Sequence, residues 1–223
     1  YAAWIEGLSG PSENTIRVAR YDNNSSWVFV DGNQTNGLSY TSNEAAGNPF
    51  PIAYKNQLYV AWIENTKIRV SRMNTEGNWE FVDGNETEGI NKNSFFNAGI
   101  PKMAVSNGKL YVAWWENNGN NKDQIRVARF QDGTNPSWIF VDGNDATKGI
   151  NYSESETANS VFLSNYNSKL YAIWAESYLN FKRIRVAVYN GDESSPSWTF
   201  IDGNSSSGLL HGKCCSSEPV LTV

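Results

Sequence analysis

Four copies of one phrase limit what this chain can fold into. Residues 27–33 read WVFVDGN, 79–85 WEFVDGN, 138–144 WIFVDGN and 198–204 WTFIDGN. The steps between their Trp residues are 52, 59 and 60 residues. A period of this length marks a repeat architecture, in which each unit cannot bury its apolar face alone and needs a neighbour. The fold therefore has to set four similar units side by side.

Each unit reads as short strands joined by turn chemistry. In the clearest copy a polar loop after Gly89 leads to a strand over 101–105. The turn 106–109, Ser-Asn-Gly-Lys, gives a second strand over 110–116. A third follows at 125–130, and Trp138 opens a fourth. Asn, Gly, Ser and Pro between apolar runs are turn residues for stated backbone reasons. No 3.6-residue period persists, so the class is all-β. The second-strand text recurs as YAAWIE from Tyr1, YVAWIE from Tyr59, YVAWWE from Tyr111 and YAIWAE from Tyr171. IRV opens the third strand at Ile16, Ile68, Ile125 and Ile184.

First strands are expected at 51–54, 101–105 and 161–165, with a fourth at 218–223, where the chain ends. The last residues would then supply the inner strand of a sheet begun by the first. Radial repetition of four-stranded sheets is a β-propeller. The expected fold is a four-bladed propeller of antiparallel four-stranded blades in a single domain over 1–223. Its ring is closed where 220–223 pair with 1–6. The competing layout is an open segment of a larger ring, cut from a longer array.

Charge and composition exclude some partners. The net charge is −5 and Lys and Arg are spread singly, so no nucleic-acid footprint is present. No run of 18 apolar residues exists to span a bilayer. Cys214, Cys215 and His211 do not have the spacing of a zinc site and read as ordinary loop residues. The DGN loops lack the oxygen spacing of a calcium loop. No cofactor is called for, although first-strand carbonyls could hold a structural cation in a central channel.

The candidate binding groups recur with the blades. Glu6, Glu64, Glu116 and Glu176 end second strands; Arg17, Arg69, Arg126 and Arg185 lie one residue into third strands. Antiparallel neighbours put each Glu within cross-strand reach of its Arg. The pairs are either structural or face a groove, where Arg offers a planar fork to vicinal hydroxyls. Trp4, Trp62, Trp114 and Trp174 sit at one repeated strand position and fit the wedge between blades. Trp115 stands outside the pattern. By alternation it points away from the face of Trp114, and it is expected to be the exposed platform for a sugar. The second-to-third-strand loops (7–15, 65–67, 117–124, 177–183) differ from blade to blade and share a face with the DGN loops; Tyr178 adds an aromatic there. Variable loops on a rigid frame are where binding usually sits.

IRV followed by VDGN, with Trp-rich strands, resembles the repeats of bacterial and fungal sugar-binding propeller lectins. That resemblance implies an Arg at 17, 69, 126 and 185 holding a sugar together with a Glu on the following strand. Val28, Glu80, Ile139 and Thr199 occupy that second place, so one copy alone has the carboxylate. The chain also resembles sialidase-type propellers, without their SxDxGxTW box. The leading expectation is a non-enzymatic carbohydrate-binding or adhesion module, secreted or on a cell surface, with glycans or glycoconjugates as partners. The alternatives are a protein-interaction scaffold and a sialidase-like glycoside hydrolase.

Overall fold

A computed structural model describes the chain apart from residues 8–13, 23, 33–36, 42–43, 85–87, 144–146, 179–180, 204–205, 207, 210–218 and 222–223, and the side chain of Tyr178. The described residues hold fifteen strands and four sheets. The first sheet is three-stranded, in the order β1 (Ala2–Gly7), β2 (Asn14–Tyr21), β3 (Trp27–Phe29). The second runs β4 (Ala46–Tyr54), β5 (Gln57–Glu64), β6 (Lys67–Met73), β7 (Trp79–Phe81). The third runs β8 (Ala98–Ser106), β9 (Lys109–Asn117), β10 (Asp123–Gln131), β11 (Ser137–Phe140). The fourth runs β12 (Ala158–Tyr166), β13 (Lys169–Tyr178), β14 (Phe181–Tyr189), β15 (Trp198–Phe200). All pairings are antiparallel, as in a meander. This is a propeller-like arrangement of blades.

Inner strands are longer than the sequence suggested, and each carries a bulge. Two residues of β4 stand against one of β5 between Gly47 and Phe50, and β8 and β12 repeat the irregularity. The first bulged residue has positive φ in all three: Asn48 at 51°, Ile100 at 53° and Ser160 at 55°. A β-branched Ile in this region is a genuine outlier. The inner strand expected at 218–223 is not seen: Pro219, Val220 and Leu221 are outside any strand, and Glu218 lies outside the described residues. Pro219 and Val220 nevertheless line a cavity together with Asn48, Ile100 and Ser160 of the three inner strands.

Three apolar cores fill three seams between neighbouring blades. One joins the first and second blades through Ile16, Val18, Leu58 and Trp62. The next joins the second and third through Tyr59, Val70, Trp114 and Phe130. The last joins the third and fourth through Ile125, Val127, Leu163 and Trp174. Trp62, Trp114 and Trp174 are fully buried there, as the wedge reading expected, whereas Trp4 in the first blade is only partly buried. The phrase WxFVDGN is the stitch across these seams. Trp79, Trp138 and Trp198 donate Nε1–H to the carbonyls of Val30, Val82 and Val141 in the preceding blade, at 2.6, 2.9 and 2.7 Å.

The second Gly of each handover loop is fixed by close approach. Gly37, Gly89, Gly149 and Gly208 have φ between 54° and 62°. A Cβ on them would lie 2.1, 2.3, 2.2 and 2.6 Å from the carbonyl oxygens of Ile16, Ile68, Ile125 and Ile184. The next residue donates its N–H to the same oxygen, as in Ile90 to Ile68 at 3.0 Å. Only a residue without Cβ lets the loop cross the third strand this tightly.

Candidate loop-face clefts

The repeated Glu, Arg, Trp and Asp form one constellation per blade. Trp62, Trp114 and Trp174 stand directly across from Arg69, Arg126 and Arg185 in the antiparallel register. Each Glu lies two residues beyond its Trp, on the same face. The expected Glu–Arg ion pair is present in the first blade, where Arg17 Nε lies 3.2 Å from Glu6. In the other three blades the structure replaces it. Arg69, Arg126 and Arg185 reach Asp83, Asp142 and Asp202 of the DGN phrase at 3.1, 3.2 and 3.1 Å. Arg17 also reaches Asp31 at 3.1 Å. The register is the same in all four blades, with Arg17 opposite Trp4 as well; what differs is that Glu64, Glu116 and Glu176 are taken up by N–H donors, while the DGN Asp comes in from the adjacent loop to the Arg. Asp31 and Asp202 also accept the backbone N–H of Val18 and Val186.

Glu64, Glu116 and Glu176 each clamp the loop that arrives from the previous blade. Glu64 accepts Trp62 Nε1–H at 2.8 Å and the backbone N–H of Tyr40 and Thr41 at 3.0 and 2.8 Å. Glu116 does the same with Trp114, Lys92 and Asn93. Glu176 accepts from Trp174, Tyr152 and Ser153 at 2.9, 3.0 and 2.9 Å. Burial pushes the carboxyls of Glu116 and Glu176 above the usual Glu range, against the pull of those N–H donors. Both therefore hold a proton more readily than an exposed Glu.

The clamped loops roof the Arg with aromatics. Arg185 lies 4.1 Å from the Tyr152 ring and 5.4 Å from Phe200. Arg69 lies 4.6 Å from Tyr40 and 4.9 Å from Phe81. In the third blade Lys92 takes the Tyr place and sits 4.5 Å from Phe140. Cation–π contact of this kind favours keeping the guanidinium flat under the ring.

Two loop-face clefts result. One, of about 220 Å³ over the second blade, is lined by Tyr40, Glu44, Glu64 and Arg69 among others. Its counterpart over the fourth blade, about 170 Å³, is lined by Tyr152, Glu156, Glu176, Arg183 and Arg185 with Ser153 and Ser177. Each pairs a buried Glu with a second carboxylate, Glu44 or Glu156, that is only partly buried. Glu44, Glu156, Tyr40, Tyr152, Phe81 and Phe200 were not singled out in the sequence. The signal was there in GLSY at 37–40 and GINY at 149–152, against GINK at 89–92.

Trp115 does not become the exposed platform. It is partly buried against the core between the third and fourth blades, and its indole lies 2.7 Å from where a Cβ on Gly99 would stand. It does point away from Trp114, which packs in the other seam. Alternation placed it on the opposite face, but that face is also a seam. Tyr178 ends β13 with its side chain outside the described residues, as are His211, Cys214 and Cys215. Among the described residues no three His, Cys, Asp or Glu side chains gather to hold a metal. No helix of the described residues is long and apolar enough to cross a membrane.

No family model matches the chain, and no curated protein does. Solved structures do. An α-L-arabinanase from Cellvibrio cellulosa superposes with a TM-score of 0.52 at 10% identity, covering 94% of this chain and 79% of that one. The same enzyme in complex with arabinohexaose gives 0.51 at 10% identity, covering 95% and 80%. A thermostable family-43 glycoside hydrolase gives 0.49 at 14% identity, covering 91% and 72%. The propeller fold is thus shared with glycoside hydrolases. This overturns the expectation of a non-enzymatic lectin or adhesion module: these solved folds belong to carbohydrate-cleaving enzymes.

Proposed function

We propose that this propeller is a glycoside hydrolase whose active cleft lies over the fourth blade. The observation that carries the reading is a pair of carboxylates of unlike surroundings, Glu156 and Glu176, lining one loop-face cleft. Glycoside hydrolysis needs two carboxyl groups, one protonated and one ionised. Glu176, held proton-rich by burial, is the general acid that gives its proton to the leaving glycosidic oxygen. Glu156, partly open to solvent, takes the proton of the attacking water, so the proton count balances over the cycle. Divergent environments are how two like residues acquire these roles. Arg185 and Arg183 supply donors for sugar hydroxyls. The arabinanase likeness, with an oligosaccharide bound in one of those structures, supports a glycan substrate. Action on such a polymer would place the protein outside the cell.

We also infer that the ring is completed by the C-terminal residues. The supporting observation is that Pro219 and Val220 line one cavity with the three bulge residues of the inner strands.

The test is release of reducing ends from arabinan oligosaccharides and from a panel of aryl glycosides. Glu176→Gln and Glu156→Gln should each lower kcat by about a hundredfold or more, with thermal unfolding followed in parallel. An intact wild type that cleaves none of these overturns the reading and leaves Glu176 a frame residue.

A further inference from the structure

The opposite face, where first-to-second-strand turns emerge, carries an asymmetry that the loop-face chemistry does not use. At the seam between the second and third blades, Tyr54 ends β4 and donates its hydroxyl to the Gly108 carbonyl at 3.1 Å. Beside it Tyr59 meets Phe130 edge-on, with centroids 5.6 Å apart. One seam further on, both positions change. Ser106 ends β8 where Tyr54 ends β4, and Tyr189 ends the IRV strand where Phe130 stands. Ser106 turns to Asn165 at 2.8 Å, and Tyr189 meets Tyr111 at 6.2 Å.

The first exchange removes the ring that fills the earlier seam. A cavity of about 490 Å³ opens, lined by Ser106, Lys109, Tyr111, Lys169 and Tyr189 among others. That volume falls in the range of small-molecule sites. The second exchange puts a hydroxyl into it. Tyr189 is only 4% exposed, and its hydroxyl has no hydrogen-bond partner among the described residues. Buried hydroxyls are normally satisfied, so this one calls for an explanation. Burial also holds the phenol above its ordinary pKa, so it stays protonated and able to donate.

Charge selects the ligand. The described lining contains two lysines and no carboxylate. Glu193 and Asp192 stand nearby and both act on the Tyr189 phenol; Glu193 is shared by Lys109 at 2.5 Å and Arg129 at 2.8 Å, so two negative charges face two positive ones. Lys169 adds a third positive charge. This is a local positive excess on a chain of net charge −5. We propose that the cavity between the third and fourth blades binds a small oxyanion-bearing molecule, a carboxylate or a phosphate, with the Tyr189 hydroxyl donating to one oxygen and Lys109 and Lys169 supplying the charge. The site is separate from the loop-face cleft and does not depend on catalysis there.

The test is a thermal-shift titration of the whole protein with inorganic phosphate, D-glucuronate and D-glucose, at constant ionic strength. A ligand that binds the folded state raises Tm with concentration. We expect a rise with one or both anions and none with glucose. A response to phosphate alone names a phosphate source, and a response to glucuronate alone names a sugar acid. Tyr189→Phe, which copies Phe130 of the preceding seam, should weaken binding roughly tenfold or more. Ser106→Tyr, which copies Tyr54, should abolish it. Each variant's Tm without ligand shows whether it folds. No rise with either anion, an equal rise with glucose, or an unchanged response in the folded Tyr189→Phe variant overturns the proposal.

Discussion

Trp138 and Trp27 begin the same phrase and live in opposite surroundings. Trp138 is packed against the core between the second and third blades and donates to the Val82 carbonyl. Trp27 is 56% exposed. Its natural acceptor by analogy would be the carbonyl of Ile201 in the fourth blade, and Ile201 is 51% exposed. Phe29 and Tyr21 of the first blade and Leu209 of the fourth are exposed with them. Three seams are therefore stitched by Trp and filled with apolar side chains, whereas the described residues on the outer sides of the first and fourth blades are not. Identical text gives different energetics because a stitch needs a neighbour on both sides. The Trp of the phrase contributes fully only where the adjacent blade is packed against it, whereas Asp31 is buried and paired within its own blade.

The largest expected contrast lies in the buried Arg–Asp pairs. Asp142→Asn removes the buried carboxylate 3.2 Å from Arg126 and should cost about 3–5 kcal/mol, read by denaturant unfolding. Asp31→Asn should cost less, because Arg17 keeps the carboxylate of Glu6 at 3.2 Å. Equal losses would break the comparison. Next comes the stitch itself. Trp138→Phe leaves the Val82 carbonyl without its donor and should cost about 1–3 kcal/mol. Trp27→Phe should stay within about 0.5 kcal/mol. A large loss at Trp27 would show that its seam is packed in solution.

The smallest effect is a shift in pH dependence. Burial raises the Glu176 carboxyl and the Trp174 N–H opposes that rise. A raised carboxyl favours the folded state most when protonated, so this contribution is present at low pH and is lost as pH rises through the raised value. A general acid fails over the same window, so the basic limb of the kcat/KM profile should lie above the ordinary Glu range. Trp174→Phe removes one N–H and should move that limb to higher pH. Movement to lower pH would contradict the assignment.

Periodicity made the blades legible: the strand order, the wedge of Trp62, Trp114 and Trp174, and the positive φ of the handover glycines all follow from the repeat. Pairing was less legible. Glu and Arg were joined by proximity in the text, but cross-strand register sets Arg69 opposite Trp62, N–H donors take up Glu64, and Asp83 comes to Arg69 from a loop. Loop closure of this kind leaves no local pattern. Trp115 shows the same limit. Alternation gives the face of a strand, not whether that face meets water or another blade. The cleft was readable only as GLSY and GINY, where a Tyr falls three residues after the glycine. Its partner carboxylates, Glu44 and Glu156, both fall two residues before the inner-strand Ala, but Phe96 takes that place in the third blade, so the repeat marks them only weakly.

The central claim is that the paired carboxylates over the fourth blade cleave a glycosidic bond. It is tested most directly by incubating the intact protein with arabinan oligosaccharides and measuring new reducing ends, beside Glu176→Gln and Glu156→Gln variants of confirmed fold. The account predicts cleavage by the wild type and a loss of about a hundredfold or more in each variant. Cleavage that survives both substitutions would contradict it, as would a folded wild type that releases nothing.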